Sequence, residues 1–145
     1  MKLSTRARYG TRALLDLARH GGEKPAQLKD IAGRQNISLH YLEHIIAPLV
    51  GAGIIKSIRG ARGGLRLTRK PKDIKLSEVI QLLEGATAPV DCVGNPESCK
   101  RADLCVTRDV WCDIKKAIDA ILESVTLQDL VEKQKRKEAS VKQNA

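Results

Sequence analysis

The stretch Gln35-Asn36-Ile37-Ser38-Leu39-His40-Tyr41-Leu42-Glu43-His44-Ile45-Ile46-Ala47-Pro48-Leu49-Val50 decides the fold. Gln35-Asn36-Ile37 reads as a tight turn, because asparagine tolerates the left-handed backbone that such a turn needs. Ser38 follows where a hydroxyl can accept from the free amides of a new helix. Leu42, Ile45, Ile46, Leu49 and Val50 recur at i, i+3, i+4, i+7 and i+8, which is one apolar helical stripe. Pro48 removes a backbone donor inside that helix and is expected to kink or weaken its last turn. Gly51 and Gly53 end it.

Upstream, residues 26–34 read as a short helix with Leu28, Ile31 and Ala32 facing inward, and residues 3–19 as a first helix. Ser4 or Thr5 caps that first helix, and Ala13, Leu14, Leu17 and Ala18 form its stripe. His20-Gly21-Gly22 stops it, with His20 near the negative end of the helix dipole. Downstream, residues 54–58 are a strand, Arg59-Gly60-Ala61-Arg62-Gly63-Gly64 is a basic glycine-rich turn, and residues 65–69 alternate like a returning strand. Helices, a tight turn, a third helix and a two-stranded ribbon make a winged helix-turn-helix. The expected fold class is mainly α, this domain plus a long dimerisation helix.

Beyond the ribbon, residues 75–84 read as a helix and Gly85–Pro89 as a breaker. Residues 90–103 are poor in core residues and read as a loop. A long helix follows over residues 104–125, with Trp111, Ile114, Ile118, Ile121 and Val125 as a heptad seam. Leu127–Val131 is a short amphipathic piece, and the polar tail from Glu132 to Ala145 is expected to fray. The implied division is 1–85 for DNA binding, 86–103 for a cysteine-containing cluster loop, 104–126 for dimerisation and 127–145 for a terminal helix and tail. The terminal helix is expected to pack on the DNA-binding domain.

At 145 residues, 42% apolar and 30% charged, the chain is sized for about one folded domain. With no Phe, two Tyr and one Trp, its core must be aliphatic. Residues 1–75 hold 16 Lys and Arg against five Asp and Glu, a balance of +11, whereas residues 76–145 balance at −2. A field so one-sided attracts a polyanion, nucleic acid before an anionic membrane. The scarce aromatics argue against a base-stacking single-strand binder. Neither a signal-peptide core nor an 18-residue apolar run occurs, so a cytoplasmic protein without membrane partner is expected.

A recognition helix enters the major groove by its N-terminal residues, here Ser38, His40 and Tyr41, with His44 on the same polar face. Glu43 can accept from the cytosine amino group or pair with an arginine. Arg59, Gly60, Arg62 and Gly64 form a flexible basic tip that suits a minor groove or a phosphate track, or else an ordinary hairpin turn. Arg6, Arg8 and Arg12 suit phosphates.

Cys92, Cys99, Cys105 and Cys112 fall within 21 residues, with gaps of six, five and six. Thiolates are soft ligands for iron–sulphur clusters, zinc or copper(I). Structural zinc sites use tighter knuckles, so wide gaps in a glycine- and proline-containing loop favour the larger cluster. Reduced thiols used only for packing are the plain alternative. No P-loop, dinucleotide fingerprint or base–nucleophile pair is present, so neither an enzyme nor a small-molecule substrate is expected. An electron carrier is disfavoured by the +11 half and the wing.

Ile37-Ser38-Leu39-His40-Tyr41-Leu42-Glu43, Ile58-Arg59-Gly60-Ala61-Arg62-Gly63-Gly64 and Arg8-Tyr9-Gly10 resemble the bacterial IscR, NsrR and CymR group of winged-helix regulators, over residues 1 to about 135. The resemblance implies a homodimeric transcription factor on a double-stranded DNA operator. It places DNA reading at Ser38, His40, Tyr41, Glu43 and Arg59. It also implies a [2Fe-2S] cluster on Cys92, Cys99 and Cys105 in the IscR-like branch, and none in the CymR-like branch. IscR-like proteins take a histidine three residues after the third cysteine, where this chain has Arg108; NsrR-like proteins take an acidic residue from the partner's first helix, where it has Arg8. Cys112, four residues past Arg108, is the candidate fourth ligand. Asp91, Asp103, a partner side chain or a small thiol are the alternatives. The reading is a regulator that senses cluster, redox or nitric oxide status; a cluster-free regulator of cysteine metabolism and a zinc-containing regulator stand beside it.

Overall fold

The structure, a computed structural model, describes residues 1–144. Helix α1 (Thr5–His20) opens on Ser4, whose Oγ accepts from the Ala7 amide at 3.1 Å. Helix α2 (Leu28–Gln35) ends on Asn36 at φ 52° and ψ 50°, the left-handed turn expected there. Helix α3 (Leu39–Gly51) starts on Ser38, whose Oγ accepts from the Tyr41 amide at 3.2 Å. It runs through Pro48 because Leu49, one residue on, is fully buried and holds the last turn against the core.

Strands β1 (Ile55–Ile58) and β2 (Gly64–Leu67) pair antiparallel, Ile55 opposite Leu67 and Ile58 opposite Gly64. A third rung comes from ahead of α2, where the Ala26 amide donates to the Leu65 carbonyl at 2.9 Å and the Leu65 amide to the Ala26 carbonyl at 2.7 Å. Helix α4 (Leu76–Glu84) follows and is tied back to α1, since the Ser4 hydroxyl and amide both donate to the Glu84 carboxylate.

Residues 90–104 are less open than a loop. They form helix α5 (Asp91–Gly94) and two 3-10 turns, Pro96–Ser98 and Ala102–Leu104. Helix α6 (Val106–Ser124) and helix α7 (Leu127–Gln143) complete the chain. Thr126 and Asp129 form a capping box at the start of α7. The expected fraying over residues 132–144 is overturned, and Ala145 lies outside the described residues. Leu127 and Val131 sit in the core, and Arg19 on α1 binds Glu138 at 2.8 Å, so the polar end of α7 has partners that its own composition does not announce. No described helix is long and apolar enough to cross a membrane.

The core is aliphatic, with Leu14, Leu17, Ile31, Leu42, Ile45, Leu49, Ile54, Ile74, Val79 and Leu127 all essentially inaccessible. Gly10 sits where α1 crosses α3 and α4; an added Cβ would stand 2.3 Å from Leu83 Cδ1 and 3.1 Å from Ile45 Cγ2. The seam expected on α6 is divided. Ile118 and Leu122 face the crevice beside α4 and the N-terminus, whereas Val106, Val110, Ile114, Ala117 and Ile121, spaced 4, 4, 3 and 4, form an apolar stripe of exposed and half-exposed positions.

Among the described residues, one charged residue lies inside the core. Asp16 is 1% exposed and accepts from Arg34 Nη2 at 2.6 Å, Arg34 Nε at 3.0 Å and Gln35 Nε2 at 2.9 Å. Burial pushes its carboxyl up, but the hydrogen bonds from Arg34 and Gln35 and the Arg34 charge outweigh this and hold it below its ordinary value. The carboxylate therefore adds stability above the unfolded value near pH 4 and loses it as the pH falls through the lower folded value. Asp16→Asn is expected to lose about 2 kcal/mol at neutral pH, the Arg34 side being partly solvated. Urea melts should show the gap to wild type closing below about pH 4; a gap that persists there contradicts the assignment.

Candidate nucleic-acid interface and cysteine segment

The turn at Asn36 sends α3 outward with its apolar stripe on the core and its first two turns facing solvent. Leu42, Ile45 and Ile46 are buried, while Ser38, His40, Tyr41, Glu43 and His44 are exposed. The Ser38 side chain is engaged as the helix cap. Tyr41 packs its ring edge-on against Tyr9 of α1, centroids 6.1 Å apart, and the Arg12 guanidinium lies over Tyr9 at 5.3 Å. Arg12 also donates to the Gln35 carbonyl and, at 3.1 Å, to Gln35 Oε1, so it supports the turn more than it reaches outward. Glu43 has no arginine within ion-pair distance among the described residues; its nearest basic group is the His40 ring, with Nδ1 at 4.0 Å. The carboxylate is left facing outward, free to accept.

At the ribbon tip Arg59, Gly60, Ala61 and Arg62 are exposed, and neither arginine has an acidic partner among the described residues. Such unneutralised cations suit phosphate oxygens. Gly64 does a different job. It has φ 152°, and a Cβ there would stand 2.6 Å from the Ala26 carbonyl oxygen. Its half-buried backbone lets the third rung form, which sets where the tip points.

Sequence reasoning missed Asp16, Arg34 and Gln35 as the residues that aim α3, and Tyr9 as its lateral support. The available signal was an aspartate set between Leu14 and Leu17 in an otherwise apolar stripe.

The four cysteines are free and half-buried. Cys92 lies on α5, Cys99 just past the first 3-10 turn, Cys105 at the N-cap of α6 and Cys112 two turns into that helix. The Thr107 hydroxyl at 3.2 Å and then the Arg108 amide hold the Cys105 thiol below its ordinary value. The Arg108 guanidinium donates through Nε to the Cys92 carbonyl at 2.9 Å and so clips α5 to the head of α6. The donor set suits iron–sulphur or zinc in chemistry. No three His, Cys, Asp or Glu side chains converge among the described residues, so this arrangement brings the thiols into one segment without gathering them into a ligand shell.

Comparison with known proteins gives a consistent picture. The family profile described as "Rrf2: Iron-dependent Transcriptional regulator" matches residues 3–133. Protein rrf2 of Nitratidesulfovibrio vulgaris is 48% identical over 131 residues, covering 90% of this chain and 87% of its own length. The structure of CymR (YrzC), described as the global cysteine regulator of B. subtilis, superposes with a TM-score of 0.78 at 40% identity, covering 91% of this chain and 97% of that one. T. potens IscR also reaches a TM-score of 0.78, at 45% identity over 92% of this chain and 88% of its own. These similarities agree with the mainly helical winged fold. The family is one of transcriptional regulators, and the relatives CymR of Bacillus subtilis and IscR of Aliivibrio salmonicida are each described as an HTH-type transcriptional regulator, in line with the expectation of a regulator and not an enzyme.

Gly64→Ala is expected to cost more than about 1 kcal/mol, from the strained φ and the Ala26 contact together. Thermal melts would read the stability loss, and DNA binding should weaken further than the melting shift alone explains; an unchanged melt and affinity would refute the role given to the third rung.

Proposed function

The chain belongs to the Rrf2 family of transcriptional regulators, and on that premise we propose that it is a homodimeric, cytoplasmic DNA-binding regulator whose cysteine segment holds a [2Fe-2S] cluster and senses cluster, redox or nitric oxide status. One observation carries the DNA part: α3 and the wing tip present exposed polar and cationic groups outward from rigid supports, within the half of the chain that balances at +11. Ser38, His40, Tyr41 and Glu43 read base edges, Glu43 through a cytosine amino group. Arg59 and Arg62 follow phosphates or the minor groove, with Gly60 and Gly64 shaping the tip.

The apolar stripe Val106, Val110, Ile114, Ala117 and Ile121 supports the dimer. Ile121 is 64% exposed and Val106 76%, and a line of this spacing on a 19-residue helix suits a second copy of itself. In this reading residues 1–85 bind DNA, 86–103 form the cluster segment, 104–126 dimerise and α7 braces α1.

Cys92, Cys99 and Cys105 are the residues that would hold a cluster, with Cys112 as fourth ligand. Bound there, it would supply a group labile to oxidation and nitric oxide. The chain's own part is mechanical. The cysteine segment leads straight into α6 and is clipped to it by Arg108, so a rearrangement of residues 91–105 moves the head of the dimer helix. That helix sets the spacing of two α3 helices, which must meet half-sites about one DNA turn apart.

A second reading has an observation of its own. The ligand position expected three residues after Cys105 is Arg108, already occupied with the Cys92 carbonyl, and the thiols do not converge. This favours a cluster-free, CymR-like regulator. Metal analysis of anaerobically purified protein separates the readings: iron with acid-labile sulphide and a brown colour supports the cluster, colourless metal-free protein the second reading, and zinc alone a zinc-containing regulator.

Two further outcomes are expected. Glu43→Ala should relax preference at one base pair by about 1–3 kcal/mol, whereas Arg62→Ala should weaken all sequences alike and lower the salt slope by about 1; competition binding at several salt concentrations measures both. Ile121→Glu should shift the sedimentation coefficient from dimer to monomer, and a dimer that survives it would overturn the α6 interface.

A further inference from the structure

His40 and His44 stand one helical turn apart on the exposed face of α3. Their rings meet at 87° with centroids 4.7 Å apart, and their Nε2 atoms face each other at 3.3 Å. Two neutral imidazoles so placed share one proton, one nitrogen donating and the other accepting. Two ligand nitrogens on one metal, each bonded at about 2.0–2.1 Å, are separated by about 3–3.4 Å. The pair therefore has the bite of a chelate before any ion arrives.

The neighbouring carboxylate strengthens the case. Coordination through both Nε2 atoms requires both rings to carry their protons on Nδ1. His40 Nδ1 lies 4.0 Å from Glu43 Oε2, too far for a hydrogen bond but on the side from which a carboxylate orients a ligating histidine once the two close together. Two histidines four apart on one helical face, with a glutamate between them, is the spacing that helix-borne zinc sites use. No third protein ligand joins them among the described residues, so water would fill the remaining positions. Imidazole donors suit late first-row divalent ions, with copper and zinc toward the strong end of that order.

We propose that His40 and His44 form a chelating site for a divalent late first-row metal ion on the outer face of α3, and that its occupancy competes with DNA. The site stands on geometry alone; the competition rests on the DNA reading of α3 given above. An ion there adds positive charge but ties up the His40 edge and stations bound water where base edges would approach.

Zinc, being diamagnetic, is the probe. The imidazole nitrogens of the full-length protein are followed by long-range 1H–15N correlation spectra during a zinc titration, so that zinc on cysteine does not mimic the result. The His40 and His44 rings should shift together with one midpoint, while His20, the chain's remaining histidine, should not follow them. His44→Gln should raise the His40 midpoint at least about tenfold. Rings that stay unshifted, or a His40 response unchanged by His44→Gln, would overturn the site. At zinc concentrations that saturate the rings, wild-type DNA affinity should fall about fivefold or more relative to zinc-free protein, and that of His44→Gln should not change with zinc. Equal zinc effects on both proteins, or none on either while DNA is bound, overturn the competition. If neither protein binds any DNA, with or without zinc, the DNA reading of α3 has failed, and with it the competition, while the ring shifts still decide the site.

Discussion

A single buried carboxylate among the described residues holds α3 in place. Asp16 draws the last turn of α2 onto α1 through Arg34 and Gln35, immediately before the left-handed Asn36. The direction of α3 follows from where that turn is anchored. Apolar contacts alone would let two short helices slide over an aliphatic surface, because dispersion carries little directional information. Three charge-assisted bonds to one inaccessible carboxylate do fix a direction. Arg12 extends the same network by bonding to both the backbone and the side chain of Gln35 while covering Tyr9, which in turn supports Tyr41. The base-reading candidates thus rest on a chain of contacts from the core to the helix face.

The wing is aimed by a different device, a backbone rung. Ala26 lies just ahead of α2 and pairs with Leu65 of β2. The ribbon and the helical turn are therefore fastened to the same short piece of chain, with Gly64 providing the clearance. Glycines and arginines share the tip for separate reasons: the former satisfy the backbone, and the latter have no acidic partner among the described residues.

Much of this was legible in the sequence because it depends on local chemistry. The asparagine turn, the serine cap and the stripe from Leu42 to Val50 act over a few residues, and each behaves as its spacing requires. What could not be read depends on distant partners. The burial of Asp16 depends on hydrogen bonds from residues 18 and 19 positions away, and Glu138 is tied to α1 by Arg19, 119 positions back. The end of α7 looked polar enough to fray because its stabilising contacts lie on another helix. The apolar positions of α6 read as one seam because a heptad count does not distinguish a face that meets α4 from one that meets solvent. Over residues 90–104, the 3-10 turns are too short to leave a period. The cysteines were legible as a donor set, but spacing alone does not tell how near the thiols come to one another.

The poverty in aromatic residues has an optical consequence. Trp111 is the only tryptophan and stands on α6 beside Cys112, whereas the only two tyrosines pack against each other where α1 meets α3. Tryptophan fluorescence therefore samples the helix that follows the cysteine segment, and tyrosine absorbance and emission sample the contact that supports α3. The two ends of the molecule carry separate chromophores. A disturbance that begins at one end and arrives at the other could be timed in the unlabelled protein.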